Sequence, residues 1–129
     1  MKNVILLALL FTTAFQTLIT QEQDDFELIT SGKWHIEYVE MSGQKIPMPI
    51  EMQNTNWVVF HADGKQEGME EGRKYVGKWE YDASKKVIRT DDLDGKVEQK
   101  LISVDQNSLV VSVKEQGVDL IMGMKKMLP

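Results

Sequence analysis

"SGKWHIEYV", residues 31–39, returns in shortened form as "VGKWEYD", residues 76–82, and the reading of these two stretches decides the fold. In the first, Trp34, Ile36 and Tyr38 alternate with His35 and Glu37. In the second, read back to Tyr75, the residues Tyr75, Gly77, Trp79 and Tyr81 share one face. Alternation with a period of two is the mark of a strand with one buried face, and no helical period fits either stretch.

The same period extends over six further runs: residues 56–61 ("NWVVFH"), 65–70 ("KQEGME"), 87–91 ("VIRTD"), 96–104 ("KVEQKLISV"), 108–115 ("SLVVSVKE") and 118–126 ("VDLIMGMKK"). With residues 33–41 and 74–82 they make eight strands. Turn residues separate them, including Asp63-Gly64 and Asp94-Gly95, which suit the positive φ angles of tight hairpins. Six of the seven connections are too short for a parallel crossover, so neighbouring strands run antiparallel. The exception is "SGQKIPMPIEMQNT", residues 42–55, which holds two of the three prolines and reads as a loop. Asp24 or Asp25 caps a single helical turn through Phe26, Leu28 and Ile29, ended by Ser31-Gly32. Eight is the strand number at which an up-and-down sheet closes on itself and loses its edges. The expected fold is therefore all-β, an eight-stranded antiparallel up-and-down barrel with a short N-terminal helical turn. An open, strongly bent sheet or a two-sheet sandwich is the runner-up.

Length and composition fit one such domain. The chain has 129 residues, 42% hydrophobic and 27% charged, too apolar for a disordered segment. Residues 1–20 stand apart: Lys2 precedes the apolar run "VILLALLFTTAF", and the chain then turns polar at once, the pattern of a secretory signal peptide. Thr12, Thr13 and Gln16 interrupt the run before the roughly 20 apolar residues a membrane helix needs. The expectation is a signal peptide over 1–20, a barrel domain over 21–129, and a secreted or periplasmic location, with membrane contact only through the leader before its cleavage. With no cysteine there is no lipobox and no disulfide, so the core alone must hold the domain together. The net charge is −5, or −6 without Lys2, and no basic stretch is present to bind nucleic acid.

Taken together, Gly32-x-Trp34, the Phe60-x-x-Asp63-Gly64 hairpin, Gly77-x-Trp79 and a last strand ending Met124-Lys125-Lys126 resemble the small secreted lipocalin-like domain proteins of bacteria. The resemblance covers nearly all of residues 25–127. It implies that Trp34 plugs the closed end of the barrel beneath a basic side chain of the last strand, Lys125 or Lys126 where lipocalins usually carry Arg. It also implies a small apolar or amphipathic ligand inside. Gly32-Trp34 and Gly77-Trp79 then read as two core anchors, glycine letting the backbone pass close to a large ring.

Chemistry of other kinds finds little support. His35 and His61, the two histidines, fall opposite the inferred core, and without cysteine or a paired carboxylate motif they make a poor zinc site. Asp91, Asp92 and Asp94 precede Gly95, but the late bidentate glutamate of a calcium loop is missing. No nucleophile motif or phosphate loop occurs. The expectations are no metal, no cofactor and no catalytic residue: a non-enzymatic, monomeric binding protein. Trp34, Tyr38, Phe60 and Trp79 are expected to line the interior, and Met48, Ile50 and Trp57 its mouth. Met41, Met48, Met52, Met122, Met124 and Met127 suit adaptable apolar contact there. The alternative is a protein-binding module, an inhibitor, immunity-type or envelope accessory protein, with a filled barrel and an acidic docking face.

Overall fold

A computed structural model describes residues 25–93 and 95–128. The expected leader and its boundary lie outside the described residues. Residues 25–29 form one helical turn, α1. The strands follow in order: β1 (Lys33–Met41), β2 (Gln44–Pro47), then the short helix α2 (Ile50–Gln53), β3 (Trp57–Phe60), β4 (Lys65–Glu70), β5 (Arg73–Asp82), β6 (Val87–Asp92), β7 (Gly95–Val104), β8 (Ser108–Glu115) and β9 (Val118–Lys126). Every pairing is antiparallel, and β1 pairs with β9 from Trp34↔Lys126 to Met41↔Leu120. That last pairing closes the barrel through β1 and β3–β9, which are the eight expected strands, and the open-sheet and sandwich alternatives fall away.

The loop expected over 42–55 is structured. Ser42 and Gly43 take φ of 51° and 79°, which makes the two-residue turn that matches strand twist. Residues 44–47 thus fold back as β2, a ninth strand on the edge of β1. It stops at Pro47, which has no N–H to continue a ladder. The edge of β1 is shared: Lys33, Trp34 and His35 pair with β3, while Tyr38 to Met41 pair with β2. Between them the Glu37 carbonyl accepts the Met48 N–H at 2.8 Å.

At this change of partner β1 bulges. Ile36 lies opposite Met124 and Tyr38 opposite Gly123, so two steps of β1 match one of β9. The extra residue reverses the alternation. Tyr38 therefore shares the outer face with Gly123, and its ring lies where a Gly123 side chain would be.

Turns 61–64, 83–86 and 105–107 gather at one end of the barrel with α1, and the turns after β1, β4, β6 and β8 gather at the other. The α1 end is filled. Ile29, Trp34, Phe60, Ile88, Leu109 and Val111 are fully buried there and along the barrel axis, with Phe26 packed against them. The two tryptophans of the repeated motif are both anchors of this floor. Trp34 Nε1 donates to the Ile29 carbonyl at 3.0 Å, and Trp79 Nε1 to the His61 carbonyl at 2.7 Å. The Trp79 ring stacks on Phe26 at 5.6 Å and leans on Phe60 at 5.0 Å. Lys126 rather than Lys125 is the basic partner of Trp34, its Nζ 5.3 Å from the ring centroid. Lys125 faces outward, 3.8 Å from Glu37.

Candidate functional site

Above the aromatic floor the barrel is not filled. A cavity of about 250 Å³ runs from Trp34 and Phe60 at its base to Glu70 and Asp92 at its rim. Register explains why these groups meet. Gln66 and Glu70 sit on the inward face of β4, with the last pair of the hairpin at Glu70↔Arg73. Asp92 ends β6 opposite Gly95, and Tyr75 pairs with Gly68, over which its ring lies. Ile36, Val58, Met122 and Met124 supply the apolar wall, and Gln99 a further amide.

The polarity of this lining is uneven. Gln66 is 3% exposed, and its Oε1 has no hydrogen-bond partner among the described residues. A buried amide oxygen left in this state is costly, because it gives up water and gains nothing. Glu70, Tyr75 and Asp92 each engage other protein groups as well as lining the cavity. No lysine, arginine or histidine lines it among the described residues. Arg73, the cross-strand neighbour of Glu70, is exposed and outside it.

The residues expected to form the site do not stay together. Trp34 and Phe60 form the cavity base. Trp79 is buried beneath them in the core, away from the cavity. Tyr38 does not line the interior: the bulge turns it outward, under the Lys45 Nζ at 4.4 Å. Trp57 reaches the cavity wall at the start of β3 but alternates with the inward Val58, and the Lys33 Nζ stands 3.9 Å over its ring on the outside. Met48 lies between β2 and α2 and Ile50 opens α2, and neither lines the cavity; Ile50 is 77% exposed. The alternation sets Tyr75 on the face of Trp79, while the polar contributors that the sequence did not single out are Asn56, Gln66, Glu70, Asp92 and Gln99. Their signal was available, since polar residues at inward positions of a barrel strand have to face something polar.

His35, expected on the surface, is buried between its cross-strand neighbours Trp57 and Lys125. His61 is half exposed, 3.7 Å from Glu67, whose carboxyl the adjacent Lys65 ammonium holds below its ordinary range. Among the described residues no cluster of three or more metal-ligating groups occurs.

Two other hollows are of a different kind. One of about 480 Å³ lies on the outer face of β5, β6 and β7 between Lys78, Glu80, Arg89 and Lys96. Its arginine already pairs: Arg89 meets Glu98 at 3.1 Å, Asp82 at 3.4 Å and Glu80 at 3.6 Å, and the Glu98 bond raises the guanidinium further above its usual value. The other, beside α1, is an open groove along Glu27, Ser31, Asp105 and Lys126. There the backbone N–H groups of Asn107 and Ser108 hold the Asp105 carboxyl below its ordinary range.

Comparison with solved structures places the architecture. A lipocalin-like protein from Bacteroides uniformis superposes with a TM-score of 0.58 at 14% identity, over 77% of this chain and 99% of that one. The fold is lipocalin-like. A DUF4847 family protein from Bacteroides vulgatus gives a TM-score of 0.60, also at 14% identity, over 77% of this chain and 94% of its own. No family model matches the sequence, and no curated protein matches it. The lipocalin-like barrel is thus shared at the level of the backbone, and the cavity lining has to be read from this chain alone.

Proposed function

We propose that this chain is a non-catalytic binding protein that holds one small apolar or amphipathic molecule inside its lipocalin-like barrel, with Trp34 and Phe60 as the base of the site. The observation that carries this reading is the cavity of about 250 Å³ above the aromatic floor. It lies below the roughly 300–1,000 Å³ of drug-sized sites, so the occupant is small. The leader-like residues 1–20 support export, with the mature protein working outside the cytoplasm.

Native mass spectrometry of the mature protein, purified from its own secretory compartment and followed by denaturing extraction, tests the reading. A stoichiometric small mass supports it. A clean apo mass, with tryptophan fluorescence unmoved by small hydrophobic and amphipathic compounds, counts against it.

A second reading is favoured by a different observation. Met41, Ile46, Ile50 and Met52 are all exposed around the open end, 44%, 53%, 77% and 38% respectively. Such a group suits a protein partner docking over the mouth. A specific partner recovered from envelope extract, and lost on Ile46→Asp with Ile50→Asp, would establish it.

A further inference from the structure

The outer face of β5, β6 and β7 carries six charged side chains in two rows, and the rows are opposites. Cross-strand register sets Lys78 beside Asp91 and Asp91 beside Lys96, which reads plus, minus, plus. Two residues away on each strand, Glu80 lies beside Arg89 and Arg89 beside Glu98, which reads minus, plus, minus. Between the rows, Trp79, Thr90 and Val97 form the floor of the hollow of about 480 Å³. The rows therefore stand as two ridges about 7 Å apart along the strands.

The first row has no electrostatic partner within the chain. Among the described residues, no ion pair involves Lys78, Asp91 or Lys96. The second row has a surplus of carboxylate, since Glu80, Glu98 and the neighbouring Asp82 share the single Arg89 guanidinium. The Glu80 and Glu98 side chains are each 70% exposed, so both still present oxygen to solvent.

Two rows of opposite sign make this face its own complement. A two-fold axis running across the strands, above Trp79, Thr90 and Val97, carries each row onto the other column by column. Lys78 of one copy then faces Glu80 of the other, Asp91 faces Arg89, and Lys96 faces Glu98, and each contact occurs twice. A two-fold along β6 would instead set Lys78 on Lys96, Glu80 on Glu98 and Asp91 on itself. Charge thus selects one orientation.

We infer that this chain forms a weak, salt-dependent homodimer through the outer face of β5, β6 and β7, with the two-fold axis between the rows, in place of the monomer expected from the sequence. Exposed ion pairs contribute little individually, so the dissociation constant is expected to be on the order of 0.1 mM. The contact uses none of the side chains that line the cavity, so this inference is independent of the binding-protein reading.

Sedimentation velocity of the mature protein over a concentration series tests it. At 0.1 M salt, screening over about 10 Å removes the long-range repulsion between two acidic chains and leaves the pairs in contact. A monomer–dimer equilibrium is expected there, weakened at least about tenfold at 1 M salt. Lys78→Glu with Lys96→Glu should weaken the dimer at least about tenfold, and so should Glu80→Lys with Glu98→Lys. The two double variants mixed should form a heterodimer. All four substitutions in one chain should restore the homodimer to within about threefold of the unaltered protein, because both rows are then reversed together.

Circular dichroism and melting midpoints report whether each variant is folded. If the loss of two Arg89 partners unfolds the glutamate variants, the lysine pair, which touches no ion pair of the chain, decides alone. The inference is overturned if the unaltered protein stays monomeric up to about 1 mM at 0.1 M salt, where a dimer of this strength must be populated. It is equally overturned if a dimer forms but ignores the folded lysine variant, or if a folded fourfold variant stays as weak as the doubles. None of these outcomes bears on what the cavity holds.

Discussion

A side chain missing at one position can decide where a ring goes on the neighbouring strand. Gly123 lies between the inward Met122 and Met124, and Tyr38 occupies the outer space that a Cβ at 123 would claim. Gly123→Val should therefore destabilise the protein by about 1–3 kcal/mol through overpacking. Urea denaturation of Gly123→Val, Tyr38→Ala and the double variant checks this: the double should recover much of the loss, because the two sites share one space. Independent, additive losses would mean that Tyr38 does not need the glycine. The same bulge carried Tyr38 out of the set expected to line the barrel. Nothing within "HIEYVE" marks it, since its cause is a change of partner strand and a glycine on β9.

Among the elements, the turns and β2 carry the clearest consequences. The turn between β7 and β8 is held by Asp105, whose Oδ1 accepts from the Asn107 and Ser108 N–H groups, both at 2.8 Å. These bonds hold its folded-state pKa below the unfolded value. The stability it contributes is present above the unfolded carboxylate pKa and is lost as pH falls through that range and the lowered folded value. Asp105→Ala should therefore lower stability at neutral pH and flatten its decline on acidification, read from denaturation midpoints between neutral pH and pH of about 3. An unchanged slope would remove Asp105 from the acid response. β2 differs from the barrel strands in being exposed along its whole length and paired only to β1. Its amides should exchange with deuterium at least about a hundredfold faster than those shared by β1 and β9, since local opening there leaves the closed barrel intact. Equal protection would make β2 part of the cooperative unit.

On the scale of the whole molecule, stability and binding are set against each other. The α1 end is packed with aromatic and branched side chains, while the open half retains a cavity and the buried, unpartnered Gln66 oxygen. Gln66→Leu should stabilise the unliganded protein by about 1–3 kcal/mol, the cost of an unsatisfied buried polar group. A loss of stability in urea denaturation would show that the amide is satisfied in solution. The eight barrel strands, their antiparallel order, the helical turn before them and the two tryptophan anchors were legible in the sequence. Period-two patterning and turn chemistry act over a few residues, so they can be read locally. The sequence also held polar residues at inward positions of β4, β6 and β7, which the search for apolar faces passed over. Closure through β1 and β9, the pairing of β2, the outward turn of Tyr38 and the emptiness of the upper barrel belong to the tertiary structure. Each depends on which residues from distant parts of the chain meet across the barrel, and a cavity is set by the volume that those side chains together leave unfilled.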